Sequence, residues 1–317
     1  MDWNDMTWFA LATYKKGKAL LPAIALGDSL YDLHAAAKGA RVTGLSKLLD
    51  AGVEGMVADW KLAAPILRKA GPAIAKLVEA GRLKPVGKLD KAAVAPYRPA
   101  RIYCAASNFI EHANEMTTVL AAKSDSKPYM FLKLANAVIG PRETVRKPPE
   151  TKMLDWEVEL AAVIGKRARR VSVSKALDYV AGYSVVNDVS ARDLNKRSDY
   201  PFTFDWFQGK AHDTFAPFGP CIVPAWLVGD PQKLRMTLTV NGTIQQNDST
   251  ANMIWTVREQ IAYLSTIVTL EPGDVIATGT PAGVGMAKGL FLKHGDVMEA
   301  AVEKVGVLRN PVANEKV

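Results

Sequence analysis

The stretch Leu154-Asp155-Trp156-Glu157-Val158-Glu159-Leu160-Ala161-Ala162-Val163-Ile164 decides how the rest of the chain is read. Its acids fall at 155, 157 and 159, with Trp156, Val158 and Leu160 between them. Alternation at period two predicts a β-strand with one polar and one apolar face. Glu157 and Glu159 then project from the same face, roughly 7 Å apart along the strand. The strand runs on into residues 161–164, an apolar run that predicts burial. Carboxylates held side by side near such a run repel one another and resist loss of water. A cation bound between them removes both penalties. An exposed strand, its acids facing water and neighbouring lysines, is the other reading of these residues alone.

Outward from this stretch, Asp188 ends the apolar run Gly182-Tyr183-Ser184-Val185-Val186 and offers a third carboxylate. Its local alternative is an N-cap for residues 190–195. No cysteine or histidine joins the group, which points away from zinc and towards magnesium, manganese or calcium. His112 and Glu115 stand three apart, so a helix places them on one face within contact distance. A carboxylate beside an imidazole orients it and raises its basicity, as water activation requires. An exposed charge pair satisfies the same spacing. Arg192, Lys210 and, inside the apolar run 129–134, Lys133 are candidate anion contacts; solvated surface charge is the plainer alternative for each. Between Arg192 and Lys210, residues 196–209 carry Tyr200, Phe202, Phe204, Trp206 and Phe207, too aromatic for a solvated loop and suited to covering something. Residues 277–285, Ala-Thr-Gly-Thr-Pro-Ala-Gly-Val-Gly, form a small-residue loop able to offer backbone N–H groups to a carboxylate. A dinucleotide loop is excluded there, because GxGxxG is not matched and no βαβ unit surrounds it.

The remaining pattern divides in two. Residues 7–14 and 20–26 flank a hairpin turn at 15–18, a short helix is predicted over 44–50 with Thr43 as N-cap, and residues 53–83 predict two or three helices broken at Pro65 and Gly71-Pro72. Residues 84–99 carry three prolines and predict a linker. Short strands dominate beyond it, including a hairpin at 235–245 turned by Asn241-Gly242, with one clear helix over 255–267. The expectation is an α+β, mostly β chain: a small N-terminal domain with its linker over 1–97, and a mixed β domain closed on itself over 98–317.

The chain has 317 residues, two cysteines outside any CxxC, and a formal net charge of +8. No apolar run approaches the ~20 residues of a membrane span, and Asp2 and Asp5 replace the basic start of a secretory signal. A reducing cytoplasm is expected. The positive charge is scattered, and its densest cluster, 166–170, has no interleaved aromatics, so neither nucleic acid nor membrane is expected as a partner. A mildly positive field suits small anionic substrates.

Five segments taken together resemble the fumarylacetoacetate hydrolase family. They are Ile102-Tyr103-Cys104-Ala105-Ala106-Ser107-Asn108-Phe109-Ile110-Glu111-His112, then Asp155-Trp156-Glu157-Val158-Glu159-Leu160, then Asn187-Asp188-Val189-Ser190-Ala191-Arg192-Asp193, then Gly209-Lys210, and Ile276-Ala277-Thr278-Gly279-Thr280-Pro281-Ala282-Gly283-Val284-Gly285. They stand in family order over about residues 100–285. The resemblance implies a mixed β-roll or sandwich enclosing Mg2+ or Mn2+, with Glu157, Glu159 and Asp188 as ligands and Asp155 as an orienting group. It also implies a His112–Glu115 dyad on a lid and Lys210 near the scissile carbonyl. Lys133, Arg192, Asn195 and Thr280 fall near the substrate, with Asn195 standing where a glutamine is common. A homodimer acting on a small anionic 2-oxo acid is implied. Carbon–carbon hydrolysis of a 2,4-dioxo acid of the acylpyruvate type is the leading expectation. Decarboxylation or isomerisation of a 2-oxo diacid is the alternative. A scaffold that has lost its chemistry is disfavoured, since no ligand or dyad residue is missing.

Overall fold

The computed structural model describes residues 8–316; Asp2, Asp5 and Thr7 lie outside them. The acidic stretch folds as two strands, Leu154–Asp155 and Val158–Ile164, not as the single strand expected. The alternation misled because both faces are covered: Trp156 and Glu157 are buried alike, as are all seven residues of the second strand. Breaking the strand at 156–157 frees backbone donors that side chains then take up. Glu157 N–H donates to Asn187 Oδ1 (2.9 Å) and Val158 N–H to Gln246 Oε1 (3.0 Å). The Trp156 indole N–H meets Gly283 O at 3.1 Å.

Val158–Ile164 lies deep in a large sheet. Its neighbours are Val180–Asn187 on one side and Val275–Ala277 on the other, both antiparallel. Beyond Val275–Ala277 come Arg101–Ala106, which is parallel to it, and Tyr129–Leu134 at the edge. In the other direction Ala216–Pro224 leads into Ala10–Lys16, Ala19–Leu26, Ser29–Asp32 and Gly87–Lys88. A second sheet orders Thr243–Ser249, Arg235–Val240, Val297–Val302, Gly306–Asn314 and Val145–Lys147. The fold is mixed and mostly β, as expected, but among the described residues neither sheet closes on itself. The turn Asn241-Gly242 has positive φ at both residues (51° and 81°), as the type I′ hairpin turn requires.

Three local expectations change. Trp60–Glu79 is one helix that runs through Pro65 and Pro72. Its buried face, Trp60, Ala63, Leu67, Ala70, Ile74 and Leu77, has the spacing of an amphipathic helix, and that packing outweighs the lost backbone bonds. The turn after Thr43 is a short 3-10 helix, Leu45–Leu48, capped at Gly44 without a side-chain bond. The expected linker contains a strand at Gly87–Lys88, a helical turn at Leu89–Ala92 and a strand at Ala93–Val94, which pairs with Thr13 and Tyr14.

The boundary at 97/98 is therefore no separation in the packing. Leu11 pairs with Ile222, which carries the large sheet across it. Phe9 and Trp60 both pack on Trp226, with ring centroids 6.4 and 5.6 Å away. One buried cluster contains Phe9, Trp60 and Leu67 together with Ala161, Val163 and Ile222.

Candidate metal centre and active site

The pairing of Val158 with Asn187 sets Glu157 and Asp188 side by side at the end of the two strands, and Asp188 N–H donates to Glu157 O at 2.9 Å. Glu159 follows on the first strand. Ligand oxygens of Glu157, Glu159 and Asp188 all lie within 4.8 Å of one another, and all three residues are buried. Their surroundings differ. Glu157 meets Lys210 Nζ at 2.8 Å and Arg192 Nη2 at 2.6 Å. Burial pushes its carboxyl up, but the Lys210 and Arg192 charges hold it down at about 2. Asp188 meets Lys210 at 2.6 Å and Lys133 at 2.8 Å. Glu159 is paired with no lysine or arginine among the described residues and accepts the Gly279 N–H at 2.7 Å. Burial, then Asp188 and Glu157, drives its carboxyl well above the ordinary range.

A buried carboxylate beside two others, with no cation of its own, is the state a bound divalent ion resolves. The donor set is all oxygen, which fits Mg2+ or Mn2+. Asp188 Oδ1 has no hydrogen-bond partner of good geometry and keeps a lone pair to give.

Across the cavity, the short helix Ile110–Glu115 carries the dyad. His112 Nδ1 lies 2.8 Å from Glu115 Oε1. Glu115 also accepts the Gly283 N–H on Oε2 (2.8 Å) and lies 3.5 Å from the Val284 N–H. Burial pushes this carboxyl up, but the His112 bond and the Gly283 N–H outweigh it and hold the group below its usual value. An ionised carboxylate only accepts, so Nδ1 carries the proton and the lone pair of a neutral His112 sits on Nε2. The same bonds dock the helix onto the small-residue loop.

That loop does offer its N–H groups to carboxylates, and those identified are the protein's own. Gly279 serves Glu159 and Gly283 serves Glu115, while Gly285 (2.7 Å) and Met286 (2.9 Å) serve Asp155. Asp155 also takes the Arg192 Nε at 2.8 Å, so it orients Arg192 and the loop together.

A cavity of about 930 Å3 opens over these groups. His112, Glu157, Arg192, Asn195, Lys210 and Thr280 line it, whereas Glu159 and Asp188 do not. Phe131, Phe204, Trp206 and Trp255 line it with aromatic rings. The aromatic loop reaches the cavity through Phe204 and Trp206; Trp206 is half-buried, while Phe204 is exposed, as are Tyr200, Phe202 and Phe207. Lys210 gives two of its three protons to Glu157 and Asp188, and its ammonium lies 5.2 Å from the Phe131 ring centre. Asn195 is held by the bareness of Gly209: a Cβ there would come within 1.6 Å of Asn195 Oδ1. Lys133 departs from expectation. It is absent from the cavity wall and spends its protons on the carbonyls of Val189, Lys210 and Phe215.

Three supporting residues escaped the sequence. Gln246 accepts from Val158 N–H and donates to Thr280 Oγ1 (2.8 Å) and Pro281 O (2.7 Å), joining the strand break to the loop. Asn187 braces Glu157. Asn108 ties Trp255 to Thr278 O through both ends of its amide. Only Asn187 and Asn108 carried a signal, being neighbours of recognised motif positions; nothing local marks Gln246.

The chain is similar to known proteins over most of its length. An oxaloacetate tautomerase, Fahd2a of Rattus norvegicus, is 35% identical over 277 residues, covering 83% of this chain and 86% of that protein. An uncharacterised protein of Pyrococcus abyssi is 45% identical over 221 residues, 69% of this chain and 92% of its own length. The crystal structure of fumarylpyruvate hydrolase from Pseudomonas aeruginosa with Mn2+ and pyruvate superimposes with a TM-score of 0.62 at 34% identity. It covers 71% of this chain and 93% of that one. The family model for the fumarylacetoacetate hydrolase C-terminal domain matches residues 101–313, which span the carboxylates, the dyad and the loop that docks it: the chain belongs to the fumarylacetoacetate hydrolase family.

Proposed function

We propose that the protein is a divalent-metal-dependent enzyme of 2-oxo acids that hydrolyses a carbon–carbon bond in a 2,4-dioxo acid of the acylpyruvate type. The observation that carries this reading is the pairing of a buried carboxylate triad, Glu157, Asp188 and a Glu159 with no lysine or arginine partner among the described residues, with a histidine whose Nε2 lone pair is left for the cavity. Mg2+ or Mn2+ held by the triad would supply Lewis acidity to the substrate's 2-oxo and carboxylate oxygens.

The chain's own residues account for the rest. Arg192, fixed by Asp155 and Glu157 through Nε and Nη2, has Nη1 left for the substrate carboxylate. His112 Nε2 takes a proton from water as the water oxygen attacks the 4-oxo carbon, while Glu115 steadies the imidazolium. The remaining Lys210 proton meets the oxyanion. The C3–C4 bond then breaks with its electron pair passing to C3, and the proton held by His112 completes pyruvate. The acyl part leaves as a carboxylic acid carrying the water oxygen. Aromatic walls in a cavity of this size suit an acyl group larger than acetyl.

A second reading, tautomerisation of a 2-oxo diacid, is favoured by the likeness to the rat oxaloacetate tautomerase over most of both chains. It needs the same proton transfer at C3 without attack by water. The Mn2+-loaded protein should release pyruvate from acylpyruvates, measured by coupled reduction with lactate dehydrogenase, and His112→Ala should abolish release. Keto–enol exchange of oxaloacetate, followed by ultraviolet absorbance and without any pyruvate from acylpyruvates, would establish the second reading instead.

A further inference from the structure

Lys133 is buried next to the candidate metal centre yet does not itself line the cavity. It lies on the edge strand Tyr129–Leu134, opposite Ile102 of the neighbouring strand, and it has no solvent exposure. Three backbone carbonyls surround its ammonium: Val189 O at 2.9 Å, Lys210 O at 2.6 Å and Phe215 O at 2.8 Å. An ammonium has three protons, and these carbonyls account for all of them. Asp188 Oδ1 is a fourth neighbour at 2.8 Å, but it accepts no hydrogen bond of good geometry. The Lys133–Asp188 contact is therefore one of charge, and it leaves the lone pairs of Oδ1 unclaimed.

Each carbonyl belongs to a segment that builds the centre. Val189 follows the ligand Asp188, the second carbonyl is that of Lys210 itself, and Phe215 precedes the strand Ala216–Pro224. We propose that Lys133 is a positioning residue of the metal centre. It fixes the backbone of Asp188 and Lys210 to each other and holds Asp188 Oδ1 by charge without consuming the lone pair a metal takes. Its chemistry suits the task. An apolar residue would leave three buried carbonyls unsatisfied, and the planar fork of arginine cannot set three protons around one point.

The inference rests on the metal reading above, and one experiment separates the two. Parent, Lys133→Met and Lys133→Arg proteins are titrated with Mn2+ alone, with free Mn2+ read by electron paramagnetic resonance and the fold checked by near-ultraviolet circular dichroism. Thermal unfolding is followed with and without Mn2+. Lys133→Met should bind Mn2+ about 10- to 100-fold more weakly, as is typical when an outer partner of a ligand is lost. Its rise in Tm on adding Mn2+ should shrink accordingly. Lys133→Arg keeps the charge and should fall about tenfold or less, between parent and Met; it carries the test alone if the Met variant does not fold. A lower metal-free Tm with Mn2+ affinity within about twofold of the parent would mean a merely structural lysine, and it would overturn the proposal while sparing the metal reading. Failure of the parent to bind Mn2+ would overturn both.

Discussion

Glu159 is the residue on which the metal reading turns. Glu157 and Asp188 each have two cationic neighbours, whereas Glu159 has a backbone N–H and two like charges. Burial and those two neighbours already favour the uncharged form of its carboxyl in the metal-free protein, and a neutral amide of the same shape keeps that state. Glu159→Gln is therefore expected to leave the metal-free Tm close to that of the parent and to weaken Mn2+ binding by at least about 100-fold, more than the loss of an outer partner. Calorimetry with and without Mn2+ reads both effects, and a lower metal-free Tm would contradict the assignment. Gly283 makes a second case. Its φ is +105°, a Cβ would come within 2.1 Å of Gln245 O, and its N–H holds Glu115. Gly283→Ala should cost about 1–3 kcal/mol through strain. It should also lower kcat as the dyad helix loses its dock, with Mn2+ affinity unchanged. Chemical denaturation and single-turnover kinetics check the two parts.

The helix Val257–Ile267 shows how an element's end is tied to the site. Thr256 and Glu259 form a capping box, and Glu259 also meets Lys123 at 2.8 Å. Lys123 in turn lies over Trp255, which lines the cavity. Burial pushes the Glu259 carboxyl up, but Lys123 and the Thr256 bonds together outweigh it and hold the group below the usual value of 4.5. An acid whose pKa is lowered on folding stabilises the fold above its unfolded pKa, and that stability is lost as pH falls through the folded pKa. Glu259→Ala should cost about 1 kcal/mol at pH 7, with the gap to the parent narrowing below pH 4.5. Denaturant midpoints across pH 3–7 measure it, and a gap independent of pH would assign the loss to packing alone.

Elements with local signals were legible in the chain. The Asn241-Gly242 turn, the helix beginning near Thr256 and the pair of acids Glu157 and Glu159 needed only neighbouring residues to be found. Trp60–Glu79 was not, because the packing that carries it past two prolines draws on residues as far off in sequence as Phe9 and Trp226. Lys133 was misplaced for the same kind of reason: its partners lie 56 to 82 residues away, and no spacing rule reaches them. The carboxylate alternation identified the right acids but the wrong backbone, since period two cannot tell a one-faced strand from one covered on both faces.

At the scale of the whole molecule, the site is built on a sheet that the first ninety residues extend. The P. abyssi relative matches 69% of this chain over 92% of its own length, so about a third of this chain has no counterpart there. Here the extension is continuous with the core. Leu11 pairs with Ile222, Arg68 lies 4.0 Å from the Trp226 ring centre, and Tyr97 packs edge-on against Phe218 at 5.7 Å. Ile222, Phe218 and Trp226 all lie in or beside Ala216–Pro224, which pairs with Val180–Asn187, the strand leading to Asp188. Removing residues 1–97 would strip the cover from those side chains and open a strand edge two strands from Val158–Ile164. A fragment of residues 98–317 should therefore aggregate or lose cooperative unfolding, and it should fail to bind Mn2+ even though every ligand is retained. Size-exclusion chromatography, near-ultraviolet circular dichroism and Mn2+ titration of the fragment test this. A monodisperse fragment with the parent's metal affinity would show instead that the first part is a docked accessory whose apolar contacts the catalytic part can lose without unfolding.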